Sequence, residues 1–138
     1  MVNSEVEPLG TPSRLRIRVA YNETDGQRRV HHANYLNYFE RGRVELLREY
    51  GWSYRAIEDS GRMLVVSELR VQYFFPAQFD DELVLETTIL EARGARIRHA
   101  YRLLRGETLI VTGETTIACI DHEGRVRRLP PELIAIGQ

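Results

Sequence analysis

One stretch, "NYLNYFERGRVELLREYG" (Asn34 to Gly51), constrains the fold of this chain more than any other. Tyr35, Tyr38, Phe39, Gly42, Leu46 and Tyr50 recur at helical spacing, flanked by Leu36, Leu47 and charged residues. The spacing predicts an amphipathic helix of about four turns or more, with Gly51 suited to its C-cap. Gly42 is a poor helix former, and its lack of a side chain permits close packing against a sheet. The period then changes. Met63 to Phe75, Leu83 to Leu90, Arg96 to Leu104 and Thr108 to Ile120 read as strands from alternation and β-branched content. "EARGA", "RGE" and "DHEGR" carry the glycine expected of hairpin turns. Upstream, "RLRIRVAY" (Arg14 to Tyr21) puts Leu15, Ile17 and Val19 on one face of a further strand, and "SYRAIEDSG" adds a short helix. One long helix and a sheet of about five antiparallel strands must bury each other's apolar faces. The simplest solution is an α+β fold with a curved sheet wrapped round the helix. Such a sheet leaves edge strands and an uncovered face, so pairing with a second chain is expected.

Composition narrows the function. The 138 residues suffice for one domain with one core. Residues 1–13, with Pro8, Gly10 and Pro12, read as a flexible tail, and 14–138 as a single domain. A net charge of −1 gives no bulk attraction to nucleic acid or a membrane surface. Every basic residue is arginine, which excludes Schiff-base lysine chemistry and a lysine-dependent phosphate loop. Cys119 is the only cysteine, so no internal disulfide forms. No signal-peptide pattern and no apolar run of membrane-spanning length is present, and a cytoplasmic address is expected.

The polar chemistry gathers at "YNETDGQRRVHHANYLNYFE", Tyr21 to Glu40. Taken singly, each residue has a structural reading. Asp25 before Gly26 is good turn chemistry, the histidines suit a helix cap or surface, and Asn34 suits an N-cap. Tyr35, Tyr38 and Phe39 suit the core. Taken together they suggest chemistry. Tyr21 ends a strand, Asp25 follows four residues on, and His32 seven beyond that at a helix N-terminus. Free N–H groups at such a terminus favour an anionic oxygen. A carboxylate facing those donors is what acyl transfer requires. From residues alone, turn and active site both stand.

From about Leu15 to Pro130 the chain resembles the hotdog-fold acyl-CoA thioesterases, of the 4-hydroxybenzoyl-CoA and Tol–Pal-associated types. The resemblance is carried by "YNETDGQRRVHHANYLNYFERGRVELLREYG", "VQYFFPAQFDDELVLET" and "GETTIACIDHEGRVRRLP". It implies a hotdog fold, a long central helix wrapped by a five- to six-stranded antiparallel sheet. It also implies homodimers, often homotetramers, with sites between protomers, and hydrolysis of an acyl-CoA thioester without metal or redox cofactor. Carried over by position, Asp25 is the catalytic carboxylate, as nucleophile or as general base. His32 polarises the thioester carbonyl, and Tyr21 matches an active-site tyrosine. Tyr35, Tyr38 and Phe39 would line the acyl site, suiting an aryl or a short to medium acyl group. Arg93 and Arg96 would hold coenzyme A phosphates, against a reading as a solvated strand face.

One position departs from the pattern. The family places glycine three residues after the aspartate, where this chain has Arg28. A left-handed residue there would be strained, so the loop is expected to take a different path, with Arg28 and Arg29 free to pair with Asp25 or with an acidic substrate group. Elsewhere, His99 reads as packed within the fold or at an interface, Trp52 as covering the helix end, and Glu40 as solvated or paired with an arginine one turn away. Two other functions are weighed: a hotdog acyl-CoA hydratase or dehydratase, and a non-catalytic acyl-binding scaffold.

Overall fold

The helical stripe forms as predicted. In the computed structural model, which describes residues 9–136, α1 spans Asn34–Glu49 and buries Tyr35, Tyr38, Phe39, Gly42, Leu46 and Leu47. It ends in a Schellman motif. Gly51, at φ 85°, donates to Arg48 O (2.9 Å), and Trp52 N donates to Leu47 O (2.9 Å). Before α1 lies β1 (Leu9–Arg18); after it come α2 (Tyr54–Asp59), β2 (Arg62–Tyr73), β3 (Glu82–Arg93), β4 (Arg96–Arg105), β5 (Thr108–Asp121) and α3 (Pro131–Ile136). The strands form one antiparallel sheet in the order β1-β3-β4-β5-β2.

Gly42 sets how closely helix and sheet approach. A Cβ there would lie 2.4 Å from Thr87 Oγ1 and 2.6 Å from Leu85 Cδ2, so any side chain would force Thr87 and Leu85 or the helix itself to shift. Phe39 takes the space a Gly113 side chain would fill on β5 and stacks on Tyr101 with ring centroids 4.3 Å apart.

A polar seam crosses the core. One apolar cluster holds Ile17, Tyr38, Phe39, Leu83, Leu85, Leu103 and Val111, and the other Leu46, Leu47, Ile57, Ile97, Ile117 and Leu129. Between them in chain register sit buried Arg43, Thr87, His99 and Thr115, with the Tyr101 hydroxyl. Arg43 Nη1 donates to Tyr101 Oη (3.2 Å), which shares a 2.6 Å hydrogen bond with Thr115 Oγ1. His99 is 2% exposed, and both its ring nitrogens lack a partner among the described residues. Burial first, then the Arg43 charge, pulls the His99 pKa down to about 3. The histidine is packed within the chain, Trp52 packs against the second cluster, and Glu40 lies 3.9 Å from Arg43.

Several boundaries differ from expectation: β1 ends at Arg18, so Tyr21 lies in a turn and not at a strand end, and β2 ends at Tyr73 and not Phe75. β1 begins at Leu9, so residues 9–13 of the predicted tail are sheet: Ser13 pairs with Thr87 in register, and its hydroxyl donates to Glu49 Oε1 (2.8 Å). Residues 1–8 of that tail lie outside the described residues. Asn34 is the first residue of α1, not its cap; its side-chain amide turns away to donate to Glu23 O (2.8 Å). The six-residue α3 was not anticipated.

Candidate active site

The segment between β1 and α1 is built around two carboxylates. Tyr21–Glu23 make one 3-10 turn, and Glu23 ties it down. One Glu23 carboxylate oxygen accepts from Ala20 N (2.8 Å) and from Tyr38 Oη (2.8 Å), and the Glu23 carbonyl accepts from His31 N (2.9 Å) and Asn34 Nδ2 (2.8 Å). Burial and this carboxylate both raise the Tyr38 pKa. Glu23 was not singled out from sequence, because its partners lie as far away as residue 38.

Asp25 follows in a tight hairpin. Its backbone N donates to Arg29 O (2.7 Å), and Arg28 N donates to Asp25 O (3.1 Å). Its side-chain Oδ1 accepts from Gln27 N (2.8 Å) and Arg29 N (3.3 Å). The carboxylate is therefore oriented by the backbone of its own turn. No ion pair joins it to Arg28 or Arg29 among the described residues, contrary to one expectation. The hairpin is pinned to the β2–β3 connection by Val30 N to Ala77 O (2.9 Å) and Phe79 N to Arg28 O (3.1 Å).

Arg28 adopts the left-handed conformation that it was expected to avoid. It sits at φ 66°, so the loop keeps the left-handed residue that glycine would supply, held by the bonds on either side. Its guanidinium lies 6.0 Å from the Phe79 ring centroid. A non-glycine residue there costs about 1–2 kcal/mol. Arg28→Gly should raise stability by about 1 kcal/mol, less the greater freedom glycine has when unfolded, as an increase in the urea midpoint at constant m-value.

Asp25 opens onto a cavity of about 360 Å³ shared with Arg29, His32, Tyr35 and residues 73–76. His32 lies just ahead of α1, its ring stacked on His31 with centroids 4.3 Å apart. Its carbonyl accepts from Tyr73 Oη (3.3 Å), while its N–H has no hydrogen-bond partner among the described residues. Tyr35 Oη accepts from Ala77 N (3.1 Å), and its ring meets Tyr73 edge-on at 5.6 Å. Tyr73, Phe74 and Phe75 are about half exposed and form an aromatic lip.

Other residues expected here lie elsewhere. Tyr21 is 71% exposed and turns its ring against Phe79 (5.4 Å), away from the cavity lining. Tyr38 and Phe39 are 0% exposed and belong to the core, because one helical stripe spends its deeper positions on the sheet. Arg93 and Arg96 pair in register at the β3–β4 turn, with Arg93 3.5 Å from Glu91. Arg96 also pairs with Ala118 on β5, whereas the cavity lies by Val111, the partner of Tyr73. At about 3.3 Å per residue that is roughly 23 Å along the strand, so neither arginine reaches the cavity of its own chain.

This architecture recurs among known proteins. A family model described as the thioesterase-like superfamily matches residues 19–136. The chain is 34% identical over 124 residues to the acyl-CoA thioester hydrolase YbgC of Escherichia coli O6:H1, covering 88% of this chain and 92% of that protein. It is 36% identical over 106 residues to the acyl-CoA thioesterase YbgC of Haemophilus influenzae, covering 76% and 78%. Among solved structures, a probable thioesterase from Bartonella henselae superposes with a TM-score of 0.82 at 37% identity, over 86% of this chain and 99% of that one. The family match, which takes in α1, β2 to β5, the hairpin and the cavity, together with these relatives shows that the chain belongs to the thioesterase-like superfamily, with the hotdog fold.

Proposed function

We propose that the protein hydrolyses acyl-CoA thioesters to the free acid and coenzyme A, with an aryl or a short to medium acyl group. The observation that carries this reading is the shared cavity: Asp25, its carboxylate oriented by backbone N–H groups, and His32, whose own N–H has no partner among the described residues, line the same space at the foot of α1. That N–H, with the positive end of the helix behind it, polarises the thioester carbonyl and stabilises the oxyanion. Either Asp25 attacks the carbonyl carbon and expels the coenzyme A thiolate, leaving a mixed anhydride that water then opens, or it takes a proton from a water that attacks the carbonyl carbon, and the tetrahedral intermediate expels the thiolate. In both routes the departing thiolate is protonated. Water and protein groups suffice for this chemistry, so no cofactor is invoked. The aromatic lip excludes water from the acyl group.

A thiol-release assay across benzoyl-, hydroxybenzoyl-, short- and long-chain CoA esters tests the proposal. Thiol release supports it. Conversion of an enoyl ester without thiol release would assign a hydratase, and silence on the whole panel would leave a binding scaffold.

The working unit in this proposal is a dimer joined along β2. That strand is an edge of the sheet and exposes Val65, Val66, Leu69 and Tyr73, which the chain's own helices leave uncovered. A cleft of about 460 Å³ lined by Leu69–Gln72 and Thr112–Glu114 runs beside it. A second copy pairing there would remove the unpaired edge and bury this apolar strip. Leu69→Arg is expected to halve the mass seen by light scattering. The tetramer implied by the resemblance is read from the same measurement on the unaltered protein.

A further inference from the structure

The cavity presents one charge that the proposed hydrolysis does not use. Arg29 lines it, is exposed, and makes no side-chain ion pair or hydrogen bond among the described residues. Its neighbours are engaged: Arg28 lies over Phe79, Arg18 pairs with Asp80 and Glu82, and Arg105 pairs with Asp81 at 2.8 Å. The Arg29 backbone is fixed against the reacting group. Its N donates to Asp25 Oδ1 (3.3 Å), its carbonyl accepts from Asp25 N (2.7 Å), and it bridges to Gln78. Only the side chain is left to move, and it starts beside the carboxylate where the thioester must sit.

We propose that Arg29 is a specificity-determining residue that binds a carboxylate carried on the acyl group, so that half-esters of short dicarboxylic acids, or carboxy-substituted aryl acids, are favoured substrates. This rests on the hydrolase reading above. A guanidinium takes a carboxylate two-pronged, and here it also offsets the repulsion between an anionic acyl group and Asp25. The phosphates of coenzyme A offer the same chemistry, but the pantetheine arm holds them far from the thioester, whereas Arg29 touches Asp25 through its own backbone.

The test compares kcat/KM for glutaryl-CoA and pentanoyl-CoA, each also as the 3′-dephospho ester. The unaltered protein should prefer glutaryl-CoA by ~10-fold or more. Arg29→Gln should cut kcat/KM for glutaryl-CoA by ~10–100-fold, chiefly through KM, and bring the two esters level. Arg29→Lys keeps the charge but not the fork and should recover part of the preference. Both dephospho esters should behave like their parents. A flat ratio in the unaltered protein, a ratio that survives Arg29→Gln, or an Arg29 effect that vanishes with the dephospho esters would overturn the inference. Pentanoyl-CoA separates the two claims: its hydrolysis with a flat ratio counts against Arg29 alone, and no hydrolysis of any ester counts against the hydrolase reading itself.

Discussion

Asp25→Asn should lower kcat/KM for acyl-CoA hydrolysis by ~10²–10⁴-fold, the range expected when a positioned carboxylate is lost from the chemical step. The substitution isolates charge from shape. An asparagine oxygen can still accept from Gln27 N and Arg29 N, the two bonds that orient Asp25, so the hairpin and the left-handed turn at Arg28 stay in place. The thermal midpoint should therefore move by no more than a few degrees. Asp25→Ala is a poorer probe, because it removes those bonds as well and confounds orientation with chemistry. Undiminished turnover in a folded Asp25→Asn protein would remove Asp25 from the mechanism.

Acid should unfold the protein through His99. Its folded pKa, about 3, lies well below the value near 6.5 of an unfolded histidine. Below about pH 6.5 the unfolded chain binds a proton that the folded chain refuses. Stability should then fall as pH drops, by up to ~1.4 kcal/mol per pH unit, until His99 protonates in the folded state near pH 3. Above pH 6.5 the group contributes no slope. Among the described residues no acidic side chain offsets the charge: His99 is faced by Arg43 from α1, Tyr101 beside it on β4, Thr115 across on β5 and Ile89 across on β3. Urea midpoints measured between pH 7.5 and 4.5 read the slope. His99→Leu, which removes the titrating ring, should flatten it. An unchanged acid limb in that variant would place the sensitivity elsewhere.

The long elements were legible because their periods are unambiguous. A stripe at Tyr35, Tyr38, Phe39, Gly42 and Leu46 admits only a helix, and the alternation through β3, β4 and β5 only strands. What was not legible depends on contacts far apart in sequence. Leu9–Ser13 looks like tail by composition, yet pairs with β3. The short α3, opening on Pro131, is too brief for a period to show. A stripe cannot say which of its members the sheet covers, so Tyr35 reaches the cavity while Tyr38 and Phe39 do not. Arg28 was judged by the intrinsic cost of a left-handed residue, whereas flanking hydrogen bonds impose that conformation regardless. Asp25, His32 and Tyr35, by contrast, lie together because they sit within one short segment folded on itself.

Glu23 has a consequence for turnover. With one side chain and one carbonyl it clasps Ala20, His31, Asn34 and Tyr38, making the segment that bears Asp25 continuous with the buried face of α1. A segment anchored in that way does not swing open and shut over its substrate. The conformational entropy of holding the carboxylate in place is lost when the chain folds, not each time a substrate arrives. On the proposed mechanism, turnover then needs no gating motion of this segment.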